Sequence, residues 1–336
     1  MAHSLEEMNG EVAFALRGKP AWHNLANAIY GEDQEVTSSQ IATDAKLADW
    51  NIRLESIGDH IPSDYRNNSD SYLVVRDNPF DQGKDVLSVV GKRYQVVQNE
   101  QLLSFGDAIM DGGAKWESAG SIKNGRIVFG SLKFGNGITI DGEGVNDKVN
   151  TYLLVHTSHD GSTAVQASIT PVRVVCQNTL NMALGKTKQT FKIRHTQTVD
   201  GKIMEAREAL KLAHAYSEDF EKEANALYQA SVNDKLFNEI ILATYPKPDK
   251  DAKGAIKKWE NKIITIGDIY KSPTTNAISG TAWGVMNAMT ERLDYFRTGR
   301  GTKASENAMA SASGFDIATN AEKNRIRKIV KSLALA

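Results

Sequence analysis

The 336-residue chain holds a single cysteine, Cys176, which excludes any intrachain disulfide and any zinc or iron–sulfur site built on four cysteines. No apolar run approaches the roughly 18 residues that a membrane-spanning helix needs. The opening MAHSLEEMNGEVAF lacks the basic-then-apolar order of a secretion signal, so the expectation is a cytoplasmic chain that does not enter a membrane. A phosphate-binding loop requires two glycines spaced ahead of a Lys-Ser/Thr pair, and no segment fits. Gly299-Arg300-Gly301-Thr302-Lys303 has the residue types without the spacing and reads as a basic loop. Gly142-Glu143-Gly144 follows no strand-to-helix crossover, so there is no dinucleotide fingerprint and no cofactor is expected. Prolines number only seven, and a 41% hydrophobic, 24% charged composition can fill a sizeable core. At this length the expectation is one large domain with an appendage, or two domains.

The net charge of −1 conceals an asymmetry. Residues 1–184 carry 15 Lys and Arg against 23 Asp and Glu, whereas residues 185–336 carry 25 against 18. Such a split hints at a polyanion-facing side. Lysine-rich helical surfaces laced with i,i+4 charge pairs give the same composition, and this second reading stands beside the first.

Composition changes at the same point. The first part reads as short strands joined by tight turns. Ser71–Arg76 is a strand, Asp85–Val90 pairs with it, and Tyr94–Val97 continues a three-strand meander. Asn99 then caps a helix over Glu100–Met110. Asn124-Gly125 is a strong hairpin signal between Trp116–Ile122 and Arg126–Phe134, because both turn residues tolerate positive φ. Asn136-Gly137 repeats the turn signal ahead of Ile138–Ile140, and Asp160-Gly161 joins Thr151–Thr157 to Thr163–Ile169. Beyond residue 184 the apolar periodicity turns helical, over Ile203–Ser231, Lys235–Tyr245, Ala255–Tyr270 and Thr281–Phe296, with a last helix through Ile326 and Val330. The fold class expected is therefore α+β. An antiparallel strand-strand-strand-helix core domain over 1–184 precedes a mainly helical, basic region over 185–336.

Five groups of residues are candidates for chemistry. Cys176 with His159 and Asn178 or Asp160 supplies the residue types of a thiol nucleophile, base and orienter. The competing reading of Val174-Val175-Cys176 is a buried small hydrophobe in a strand. His156 and His159, three positions apart, point to opposite faces of a strand and do not chelate one ion. Arg173 sits in an otherwise apolar run and must find either an internal carboxylate or a bound phosphate. Lys186, Lys188, Lys192 and Arg194 alternate along one side if that stretch is extended, which gives a cationic stripe able to track phosphates. A solvated edge strand protected by lysines gives the same pattern. Lys92-Arg93-Tyr94 adds positive charge beside a ring that can stack.

Several segments resemble a widespread family of phage and plasmid proteins whose domain is catalogued as of unknown function, number nine-three-two. They are Pro20–Leu25, Val89–Asn99, Ala119–Arg126, His159–Ser162, Pro171–Asn181 and Gly280–Trp283, in the family's order. The chain departs from the pattern at Asn24 and Ala26, where the family has glycines. The resemblance implies a mobile-element origin without specifying a mechanism. The strand-strand-strand-helix order is also similar to the core of the RecT and Redβ class of annealing proteins.

The function expected is thus non-enzymatic binding or annealing of single-stranded DNA by a homo-oligomer, in replication or recombination. The nucleic-acid contacts would be Lys92, Arg93, Tyr94, Arg173, Lys186, Lys188, Lys192 and Arg194. Two alternatives remain: an enzyme centred on His159, Arg173 and Cys176, and a protein that engages host factors.

Overall fold

The computed structural model describes residues 5–18, 26–65, 70–81, 83–110, 114–140, 144–173, 178–179, 190–194, 212–296 and 317–336. Its strands are β1 (Glu7–Met8), β2 (Glu11–Val12), β3 (Phe14–Arg17), β4 (Ala28–Tyr30), β5 (Arg53–Ser56), β6 (Ser71–Asp77), β7 (Lys84–Gly91), β8 (Ala114–Ile122), β9 (Ile127–Ile140), β10 (Asp147–Ser158), β11 (Val165–Arg173), β12 (Asn178–Thr179) and β13 (Thr190–Ile193). Its α-helices are α1 (Ser38–Asp44), α2 (Asn99–Met110), α3 (Leu212–Gln229), α4 (Asp234–Thr244), α5 (Lys253–Tyr270), α6 (Ala282–Tyr295) and α7 (Ile317–Ala334). The class is α+β, and the C-terminal half is helical. Among the described residues three sheets form: the β1-β2 ribbon, a β5-β6-β7 meander, and a larger sheet ordered β12-β11-β10-β9-β8-β3-β4 in which β13 also pairs with β11.

The chain divides into two compact units. One comprises residues 1–135, 152–169 and 188–212; the other comprises 136–151, 170–187 and 213–336.

In the first unit the turn chemistry shapes the strands. Lys123, Asn124 and Gly125 all take positive φ, and Ile122 pairs with Ile127 across them. Gly161, at φ +71°, turns the chain between β10 and β11. The meander is β5-β6-β7, so its third member lies upstream of the pair, whereas Tyr94–Val97 is not a strand. The reason is Tyr94, whose hydroxyl donates to the Ser158 carbonyl at 3.0 Å and draws this stretch away from the meander. Asn99 does not cap α2 either. Its amide donates to the Leu47 carbonyl at 2.8 Å and its oxygen bonds His159, while the Gln101 side chain accepts the Gln98 N–H.

The core of this unit gathers Phe14, Leu16, Leu102, Leu103, Phe105, Trp116, Phe129 and Leu132. Trp116 lies so close to Gly130 that a Cβ there would come within 2.7 Å of the ring. Its indole N–H also reaches Asp107 of α2 at 2.7 Å, which ties helix to sheet. Buried arginines do occur here, at positions that the sequence did not single out. Arg17 donates to the carbonyls of Trp116, Gly31, Glu32 and Gln34. Arg76, only 1% exposed, is held by Glu6 and Asp85 and lies 4.0 Å above the Trp50 ring.

In the second unit β9 runs on without the break expected at Asn136-Gly137. Gly137, at φ +69°, accommodates the conformation inside the strand, where a Cβ would press within 2.6 Å of the Val149 carbonyl. Helix α6 is its centre. Thr281 caps it by accepting the Gly284 N–H at 3.0 Å, and Trp283, Met286, Met289 and Leu293 are buried as their spacing predicts. So are the intervening Ala282, Val285, Asn287 and Ala288, because α6 packs against both α5 and α7. The Trp283 ring meets Phe220 of α3 edge-on, and its N–H reaches Asp147 at 2.9 Å. Lys323 of α7 and Asp294 of α6 form an ion pair at 2.7 Å with both side chains 0% exposed.

Among the described residues, no helix is long and apolar enough to cross a membrane.

Candidate functional site

An open groove of about 660 Å³ lies within the first unit. One wall is the end of β7 and the following turn, Val89 to Tyr94; Asp160 and Gly161 form a second; Asp70 and Arg194 complete it. Four residues with the charge and ring chemistry of polyanion contact, Lys92, Arg93, Tyr94 and Arg194, therefore share one cleft although about a hundred positions separate the first from the last.

Each wall has a local cause. Strand β13 pairs antiparallel with β11, placing Lys192 opposite Gln166 and Ile193 opposite Val165. The two-residue period buries Ile193 and leaves Lys192 and Arg194 exposed, as alternation predicts. The turn at residues 158–161 is fastened from two sides. Ser88 donates to the His159 carbonyl at 2.7 Å, Tyr94 donates to the Ser158 carbonyl, and the His159 N–H reaches the Arg126 carbonyl at 2.7 Å. His159 is itself core. Its Nε2 lies 2.9 Å from the Asn99 oxygen, and because the Asn99 amide is already donating to Leu47, Nε2 must carry the proton. Its ring stands 5.9 Å from Trp50, whose other neighbour is the Arg76 guanidinium.

The electrostatics of the groove are mixed. Lys92, Arg93 and Arg194 face two carboxylates, Asp70 and Asp160. Lys92 pairs with Asp70 at 2.7 Å, with side chains 65% and 75% exposed, a geometry that water weakens strongly. Burial alone would raise the Asp160 carboxyl, but hydrogen bonds from Ser162 and Ser158 and the charge of Lys123 outweigh it, so Asp160 stays anionic. Tyr94 is pushed well above the usual phenol range by burial and by Asp160, and its hydroxyl remains protonated to donate to Ser158. Val89, 59% exposed, offers an apolar surface on the same wall.

Of the other candidates, Lys186, Lys188, Cys176 and the side chains of Arg173 and Asn178 lie outside the described residues. Lys192 is exposed but does not line the groove. His156 is buried and driven to a pKa of about 3 by desolvation and by the Lys192 charge, so it is neutral and offers no cation to a ligand. No group of three or more His, Cys, Asp or Glu among the described residues could hold a metal ion. Sequence reasoning missed the contributions of Asp70, Val89, Asp160 and Gly161. Their place follows from the pairing of β7 with β6, which the sequence did suggest, and from the Tyr94 tether to Ser158, which leaves no short-range pattern.

A family model described as "Domain of unknown function (DUF932)" matches residues 86–314. The chain belongs to this family. No curated protein and no solved structure matches the DUF932 chain. The matched span takes in β7 from Val86 onward, the Val89–Tyr94 wall, the turn at 158–161 and Arg194, so all of the groove except Asp70 falls inside the DUF932 domain.

Proposed function

We propose that this protein binds single-stranded nucleic acid without chemical turnover, holding the phosphate backbone in the groove of its first unit. The observation that carries this reading is the convergence of Lys92, Arg93, Tyr94 and Arg194 on one open cleft. Cations that follow a backbone, next to a ring and an apolar surface on which a base can rest, are the parts used by sequence-tolerant single-strand binders. A volume of about 660 Å³ lies within the range of clefts that take nucleotide-sized ligands. The Lys92–Asp70 pair does not oppose this, because an exposed pair contributes at most about 1 kcal/mol and yields to a phosphate.

In this reading the protein acts in the cytoplasm of a cell that carries a phage or plasmid, as a homo-oligomer that presents bases for annealing in replication or recombination. The likeness in strand order to annealing proteins is an analogy of topology and carries no mechanism. The enzyme alternative needs a reachable base, and His159 is 0% exposed with Nε2 engaged by Asn99.

The test is fluorescence anisotropy of a labelled oligothymidylate against salt. Binding is expected to weaken by about 0.7 log units per log unit of salt for each phosphate neutralised. Arg93→Gln together with Arg194→Gln lowers that slope by about 1.4. No binding at low salt, or a slope that ignores both substitutions, removes the proposal.

A further inference from the structure

The surplus positive charge of the helical half has two destinations. On α7 most of it is consumed internally, since Lys323 pairs with buried Asp294 and Arg327 and Lys331 both clamp Glu223 of α3, while Arg325 and Lys328 stay exposed. Near the start of α5 it is not. The segment 245–262 contains six lysines against Asp249, Asp251 and Glu260. Lys250, Lys253, Lys257 and Lys258 are exposed, and none is paired with a described carboxylate.

These lysines adjoin aromatic rings. The Lys247 ammonium lies 5.7 Å from the Trp259 ring centre, and the Trp259 N–H donates to the Tyr245 carbonyl at 2.8 Å. Lys262, one turn beyond Lys258, stands 4.2 Å over the Tyr245 ring, and Arg325 of α7 approaches the same ring at 5.8 Å. Tyr245 thus joins the lysine row of α5 to exposed Arg325 within one unit. The first turn of α5 holds no acidic residue, and its N-cap, Ala252, supplies no side-chain acceptor, so the positive end of the helix adds to the same potential.

We infer that the outer face of α5, with Lys253, Lys257 and Lys258, together with Lys250 in the turn before it and exposed Arg325 beside it, is a second polyanion contact whose partner is the phosphate backbone of a nucleic acid. A bilayer is the poorer fit. Ile266 and Ile269 of α5 are already buried in the unit, and one large apolar side chain on its open face, Ile264 at 61% exposed, is too little to insert. Four cations spread over about two turns match a ligand that repeats its charge along its length. This inference is carried by the second unit alone and does not depend on the groove of the first.

The experiment compares the full chain with Lys253→Gln/Lys257→Gln/Lys258→Gln, using a labelled 30-residue oligothymidylate over a salt series. A phosphatidylserine vesicle and a polyglutamate peptide are run in parallel. The exposed triple substitution is expected to leave the melting temperature unchanged and to lower the salt slope by about 2. An unchanged slope and affinity overturn the inference, whatever Arg93→Gln/Arg194→Gln does. If the groove variant binds normally and the α5 variant does not, the groove reading falls and this one stands. Binding lost only to vesicles or only to polyglutamate refutes the nucleic-acid assignment.

Discussion

Replacing Asp70 by asparagine isolates the charge competition inside the groove. Asp70 Oδ2 sits 2.7 Å from the Lys92 ammonium, and both side chains are mostly in water. Unit charges this close attract by about 1.5 kcal/mol in bulk water, but exposed pairs contribute only about 0.2–1 kcal/mol when measured. A phosphate approaching Lys92 must first displace Asp70, so deleting that carboxylate returns at most this amount, an affinity gain of up to about fivefold. The gain belongs to low salt and fades toward 1 M, where the screening length is about 3 Å. A double-mutant cycle with Lys92→Gln makes the reasoning strict. Lys92→Gln lowers the salt slope by about 0.7, and once Lys92 is gone Asp70→Asn retains only the smaller gain from removing one repulsive charge. Anisotropy titrations of the four proteins at about 50 mM and 200 mM salt supply the numbers. If Asp70→Asn binds no tighter than the parent at low salt, or gains equally in both backgrounds, phosphate does not reach Lys92 and the groove is not the binding surface.

Gly125→Ala places a Cβ against the Arg76 guanidinium at a residue with φ +81°, and displacing that cation from Glu6 and Asp85 is expected to cost about 3–5 kcal/mol in urea unfolding. His156 has a folded pKa near 3 against an ordinary value of 6.5, so the unfolded chain takes up its proton first as pH falls. Its contribution to stability is complete above pH 6.5 and declines by up to about 1.4 kcal/mol per pH unit toward pH 3. The difference in urea midpoint between parent and His156→Asn should therefore change from pH 7 to pH 5, and a constant difference contradicts the desolvation argument. Lys323→Met strands Asp294 in the core and should cost about 3–5 kcal/mol, whereas Lys323→Met with Asp294→Leu should recover most of the loss; both are read by chemical denaturation.

What could be read from the sequence was local. Asn124-Gly125 and Asp160-Gly161 announced their turns because Asn124, Gly125 and Gly161 take positive φ, and the buried Phe220, Ala224 and Leu227 of α3 followed apolar spacing, whereas α6 is buried well beyond its stripe and Phe296 after it is exposed. The alternation that exposes Lys192 and Arg194 while burying Ile193 was readable for the same reason. The long-range pairings were not. Arg76 reads as an ordinary strand residue until Glu6, seventy positions away, is folded onto it. Asn99 looks like a helix cap, and only the approach of Leu47 and His159 recruits its amide for another purpose. Of the candidate site, the cations were visible and their meeting place was not, since it depends on Tyr94 reaching Ser158 across 64 positions.

The two units alternate along the chain, with junctions after residues 135, 151, 169, 187 and 212. Neither can be excised as one continuous piece, so a truncated fragment is a poor starting point for separating their roles. A ribosome must deliver residue 212 before the first unit holds all its parts, which leaves β11 without its partner β13 during synthesis. Chaperone dependence and slow refolding are therefore to be expected of this architecture, and point substitutions in the intact protein are the better way to assign activity to either unit.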